Sequence, residues 1–232
     1  MTRADIRVEL KMPTNDNVRE LGFWCGLAAA AATIAFDVVQ LGQVVGVLHF
    51  PLDEVLIYGT SLCIVVPFLL EMIALHHLAD GAKKFWTHAA VTFSVIYAVF
   101  VTSNYVVQLA TVIPSKLGAS ADAIRILEQT PHSLFWNYDA IGYISMGLAA
   151  LMVFPVFANS GFERWVKISV LAHALVTPLI AIVYFYPTYS PTLLLLGLPW
   201  ALTAPAFMAL IAVNIRRQRD GASLRAAEPR RS

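Results

Sequence analysis

The sequence predicts an all-α polytopic membrane protein: a single bundle of six transmembrane helices with both termini in the cytoplasm. Three observations lead there. Of 232 residues, 58% are hydrophobic and only 13% charged, with a mean hydropathy of +0.67. A soluble domain carries about a quarter charged residues and is less than half apolar, so a soluble enzyme built on one buried core is excluded. Six apolar runs reach the roughly 20 residues that a helix needs to cross a bilayer. Basic residues fall almost entirely on one side of the six runs.

The spans read as 20–48, 55–78, 86–112, 133–157, 165–187 and 192–214. Backbone amides in lipid must be paired internally, so runs of this length are helices, and the short alternating segments of a membrane barrel are absent. Span 1 follows a mixed-charge stretch and is too long for the apolar region of a cleavable signal. It carries Gly22-x-x-x-Gly26 near one end, Gly42-x-x-x-Gly46 near the other and the alanines Ala28 to Ala32 between them. Small residues one turn apart let a neighbouring helix approach closely, within the bundle or in a homo-oligomer. Span 2 contains Pro67, which frees a backbone carbonyl. Loops are compact, and residues 1–232 read as one membrane domain with no linker. The longest external loop is 113–132, in which Ala121–Gln129 has the pattern of a short amphipathic interfacial helix or lid. Cys25 and Cys63 lie at different depths, so no disulfide is expected.

Orientation follows from the charges. Arg3, Arg7, Lys11 and Arg19 precede span 1; Lys83 and Lys84 separate spans 2 and 3; Arg164 and Lys167 lie at the fourth connection; and six arginines follow span 6. Fourteen of the 16 basic residues thus share one side, against Lys116 and Arg125 on the other. The positive-inside rule makes the basic side cytoplasmic. Trp24, Trp86 and Trp165 fall at the same inner interface. The basic C-terminal tail reads as a topology anchor against anionic membrane lipids and not as a nucleic-acid arm.

Ionisable groups inside hydrocarbon cost at least about 2.5–3.5 kcal/mol at mid-bilayer, so each asks for a role. In the outer half lie Asp37, Gln40 and Gln43 of span 1, Asn104 and Gln108 of span 3, and Asn137 and Asp139 of span 4. Tyr97, Val101, Asn104, Gln108 and Thr111 form one helical stripe, and Trp136, Asp139, Tyr143 and Met146 form another. These faces are expected to converge on an outward-opening polar cavity, with Tyr184 and Trp200 as aromatic walls. Asp37, Gln40, Asn104, Gln108, Trp136, Asp139 and Tyr143 are the candidate ligand-binding residues. Interhelical hydrogen bonding alone is the competing explanation of the same residues.

The inner half holds Glu71, His76, His77, His88 and His173. Glu71 and His173 lie at similar depth and are the candidate catalytic pair, an acid and a base; a buried ion pair is the alternative. His76 and His77 point about 100° apart on a helix and read with His88 as a polar cytoplasmic rim. No metal site is expected, because the HxxxH, ExxH and HExxH spacings are absent. No cofactor is implied either: phosphate-binding glycine motifs, an intramembrane lysine, an acidic DDxxD-like cluster and a GxSxG elbow are all missing. An inverted repeat of spans 1–3 and 4–6 cannot be aligned, since the Asn104/Gln108 stripe has no counterpart in span 6.

Gly147-Leu148, Phe154-Pro155 and Ser160-Gly161-Phe162-Glu163-Arg164-Trp165 resemble a stretch of uncharacterised six-span bacterial membrane proteins, in which a span ending in Phe-Pro is followed by a Ser-Gly-Phe turn. The resemblance implies the fold and carries no activity or site residues. The reading that results is a membrane protein binding or transporting a small polar, cationic or amphipathic molecule. The alternatives are an intramembrane enzyme acting on a lipid or isoprenoid, and a non-catalytic subunit of a membrane complex.

Overall fold

A computed structural model of the chain describes residues 14–118 and 124–227, with side chains up to Gln218. Within these residues the protein is helical, with no strand, and six helices are long and apolar enough to cross a membrane. They are α1 (Asn15–Val44), α2 (Leu52–Leu78), α3 (Lys84–Val107), α4 (Leu134–Val153), α5 (Gly161–Phe185) and α6 (Leu198–Ala227). Arg3, Arg7, Lys11, Arg230 and Arg231 lie outside the described residues.

Helix ends fall where local chemistry puts them. Thr14 caps α1, its hydroxyl accepting the Asn17 N–H at 3.3 Å, and Asp16 in the first turn complements the helix dipole. The helix stops at Val44, four residues short of the expected boundary, because Gly46 takes a left-handed φ of +72° and the Val47 and Leu48 amides return to the Gly42 carbonyl. A glycine in that conformation is a common helix terminator. Pro51 opens α2 earlier than hydropathy indicated, so Asp53 and Glu54 occupy its first turn and not a loop. Ser133 caps α4 by accepting the Trp136 N–H at 3.1 Å. At α5, Glu163 reaches back to accept the Ala158 N–H at 2.8 Å, which begins the helix at Gly161, ahead of its apolar run.

α3 does not end at Val107. It widens into a π-helical turn over Gln108–Val112 and resumes as Ile113–Leu117. Pro114 explains the position: it has no N–H to donate, and its ring clashes with the carbonyl four residues back. The Ile113 amide bonds to Gln108, five residues earlier. One extra residue in the turn shifts the buried register, so Val112 and not Thr111 continues the face made by Tyr97, Val101, Asn104 and Gln108.

The helices close into a ring in chain order. Each packs on the next, and α6 packs back on α1. Phe68, Met72, Tyr97, Met146, Phe207 and Met208 fill the middle, with Phe68 edge-on to Tyr97 at 5.6 Å and to Phe207 at 5.9 Å. Small residues set the close approaches. A Cβ on Gly22 would stand 2.7 Å from that of Ala74, and one on Gly26 would strike the Glu71 carboxylate and the Ala212 methyl group. The Gly22/Gly26 pair therefore serves contact inside the chain. Gly42 is packed by Leu48, whereas Gly46 faces open space. At the basic end, Arg216 lies over Phe23, Arg217 over Phe162 and Lys167 over Phe154, all within 4.7 Å of the ring centres. Trp24 and Trp165 are exposed at that end.

Candidate functional site

The first half of α4, the widened end of α3 and the C-terminal end of α5 bring a carboxylate and three tyrosines together. Asp139 is 4% exposed, and every bond to it comes from a neutral donor. The Tyr105 hydroxyl donates to Oδ1 at 2.6 Å and the Tyr184 hydroxyl to Oδ2 at 2.5 Å. Such lengths are those of O–H···O⁻ bonds. Gln129 Nε2 donates to Oδ2 at 3.0 Å, and Asn104 Nδ2 makes a long fourth contact with Oδ1 at 3.5 Å. The Tyr143 hydroxyl lies 3.2 Å from that of Tyr105.

The amides around this centre have fixed orientations. A carboxylate accepts only, so Gln129 must turn its NH₂ to Asp139 and its Oε1 to Asn104, which donates to it at 2.9 Å. On the other side, the Gln129 backbone N–H donates to Gln108 Oε1 at 3.2 Å, and Gln108 Nε2 donates to the Leu127 carbonyl at 2.8 Å. The backbone groups leave Gln108 no alternative. Residues 127–129 are thus tied across the outer end of the cluster by bonds from two residues of α3 and one of α4.

Aromatic rings pack around the cluster. Trp136 donates its indole N–H to the Tyr184 carbonyl at 3.2 Å and lies 4.7 Å from the Tyr184 ring. Trp200 meets Tyr143 edge-on at 5.1 Å and Phe36 at 5.7 Å. Outside the cluster, Lys116 pairs with Glu54 at 3.1 Å and approaches Glu128 at 3.8 Å, joining the loop to α2.

Of the ligand residues read from the sequence, Asn104, Gln108, Trp136, Asp139 and Tyr143 meet here. Asp37 and Gln40 do not. α1 packs on α2 and α6, and Gln40 bonds to Gln43, which donates to Asp53 at 2.9 Å. Asp37 is partly buried and makes no hydrogen bond among the described residues. Asn137 is exposed at the surface. The expected helix over Ala121–Gln129 is partly outside the described residues, at 121–123; its remainder forms a short 3-10 turn, Arg125–Leu127, followed by the tied segment.

Two participants were not singled out from sequence. Tyr105 was readable, since Val101, Tyr105 and Gln108 share helical spacing. Gln129 left no signal, because a loop position has no periodicity to place it.

Toward the basic end, Glu71 and His173 do not bond to each other. His173 Nδ1 lies 3.1 Å from the Thr203 hydroxyl, and its ring stacks on Phe207 at 4.5 Å. Glu71 is fully buried between α1 and α6, and neither carboxylate oxygen has a hydrogen-bond partner among the described residues; the Ala212 backbone comes near without the geometry of a bond. The acid–base pair expected from their matching depth is not assembled, because the two side chains point to different neighbours. His76 bonds Thr87 at 2.9 Å, and its ring lies 5.5 Å from that of His88, at the basic end. Among the described residues no three His, Cys, Asp or Glu side chains group as metal ligands. Compared with protein families, with curated proteins and with solved structures, the chain matches none.

Proposed function

We propose that this protein of the cell membrane binds, and moves or senses, a small polar or amphipathic molecule at the Asp139 cluster, entering from the face opposite the basic residues. The observation that carries this reading is a buried carboxylate with no cationic partner among the described residues, one of whose donors is a loop side chain. A group on a loop can leave, whereas Tyr105 and Tyr184 are held by their helices. Placing both termini in the cytoplasm rests on the 14 basic residues of one side, and it makes the Gln129 side external.

The π-helical turn beside Gln108 supports the same reading, since such turns occur frequently at functional sites. The test is saturable binding by purified protein in lipid nanodiscs. Methylammonium, acetamide and glycerol serve as probes, read through tryptophan fluorescence with Trp136→Phe as the signal control. Binding by at least one probe that vanishes in Asp139→Asn at unchanged helical content is expected. Failure of every probe, or binding untouched by the substitution, overturns the assignment.

A further inference from the structure

Gln129 occupies the cluster as a ligand would. Its amide faces an acceptor on one edge, Asp139 Oδ2 at 3.0 Å, and a donor on the other, Asn104 Nδ2 at 2.9 Å. Both partners are almost wholly buried, at 4% and 0% exposure, and belong to different helices. Neither could turn to suit a different guest. Asp139 cannot donate while ionised, and the Asn104 Oδ1 is directed to Gln108 Nε2, at 3.5 Å.

We infer that the molecule recognised at this site carries a primary carboxamide or urea-like group, and that Gln129 is its built-in stand-in. The inference rests on the binding reading above and narrows it. An alkylammonium would satisfy Asp139 but leave Asn104 Nδ2 only its long contact with Asp139, with the N–H that Gln129 Oε1 now accepts unpaired; a buried donor without a partner costs about 1–3 kcal/mol. A carboxylate would satisfy Asn104 and repel Asp139. A planar group with N–H and C=O side by side satisfies both. Trp136 and Tyr143, which are only partly buried, are the rings beside the cluster that the remainder of such a molecule would meet.

A tethered group competes at an effective concentration in the millimolar range for a short flexible linker. The free chain is therefore expected to bind a small amide weakly, and removing the stand-in to strengthen binding. Gln129→Ala deletes the equivalent of one acetamide molecule and keeps the Gln129 backbone N–H for Gln108.

The experiment titrates wild type and Gln129→Ala, in nanodiscs, with acetamide, N,N-dimethylacetamide, acetate and methylammonium, following the thermal unfolding midpoint. Acetamide is expected to raise the midpoint of Gln129→Ala saturably, with half-saturation at least tenfold lower than in wild type. N,N-dimethylacetamide and acetate should have no effect, and adding Asn104→Ala should abolish the response. If methylammonium saturates and acetamide does not, the carboxamide assignment is overturned while binding at Asp139 stands. If neither acts, both fall. Should Gln129→Ala not fold, hydrogen exchange in wild type decides: propionamide, which matches the whole glutamine side chain, should accelerate exchange at the 127–129 backbone saturably, and N,N-dimethylpropionamide should not. Equal exchange with the two amides overturns the inference.

Discussion

Replacing Asp139 with asparagine changes no volume, so its effect isolates the charge and the hydrogen bonds. Asparagine offers one oxygen where aspartate offers two. Whichever way the new amide turns, two of the four donors then face an NH₂ group: Tyr184 and Gln129, or Tyr105 and Asn104. Bonds to a charged acceptor contribute about 1.5–3 kcal/mol each, so two lost bonds amount to about 3–6 kcal/mol. A tyrosine hydroxyl can rotate and accept from the new NH₂, recovering part of this, and about 2–4 kcal/mol remains. Ordinary hydrogen bonds between membrane helices average about 0.6 kcal/mol, which would give only about 1 kcal/mol for two. Reversible unfolding from mild detergent into sodium dodecyl sulfate, followed by circular dichroism, separates the two ranges. A loss below about 1 kcal/mol would refute the view that the carboxylate organises this cluster.

Other consequences are testable in the same assay. A methyl group on Gly147 would collide with the Thr177 hydroxyl and stand 2.9 Å from its Cβ, so Gly147→Ala should destabilise by about 1–3 kcal/mol, with Thr177→Ala in the same chain restoring the part due to the hydroxyl and Cγ2, since the Cβ remains. Lys116→Ala should cost no more than about 1 kcal/mol, because the Lys116–Glu54–Glu128 ion pairs are partly exposed. Orientation is checked with single cysteines in a Cys25→Ala/Cys63→Ala background. On intact cells a membrane-impermeant maleimide should label position 116 and not position 83; the reverse pattern would invert the topology.

The parts of the fold that depend on spacing along one helix were legible in the sequence. Runs of apolar residues gave the six helices, and the i, i+3, i+4 stripe identified Asn104 and Gln108, which the structure buries together. Helix ends were less legible, because caps such as Thr14 and Glu163 act outside the apolar runs. Which helix meets which was not legible at all. Asp37 and Asn104 both lie in the outer half, but depth alone says nothing of lateral position, and the ring order sets α1 beside α2 and α6. The same ambiguity produced the expected Glu71–His173 pair. Gln129 shows the limit from the other side: its role arises only when a loop folds back on two residues of α3, 21 and 25 positions earlier in the chain.

The closed order of the bundle also bears on how the chain is made. The groove holding Glu71 has one wall from α1, at Gly26, and another from α6, at Ala212. Synthesis delivers α1 and α2 before α6. Until α6 arrives, the buried Glu71 carboxyl group has an open flank, and insertion of α6 is the step that shuts it. A nascent chain stopped after Phe185 would keep five helices of adequate hydropathy and still expose that acid. The seam between α1 and α6 is therefore where quality control in the membrane would distinguish a chain that has inserted α6 from one that has not.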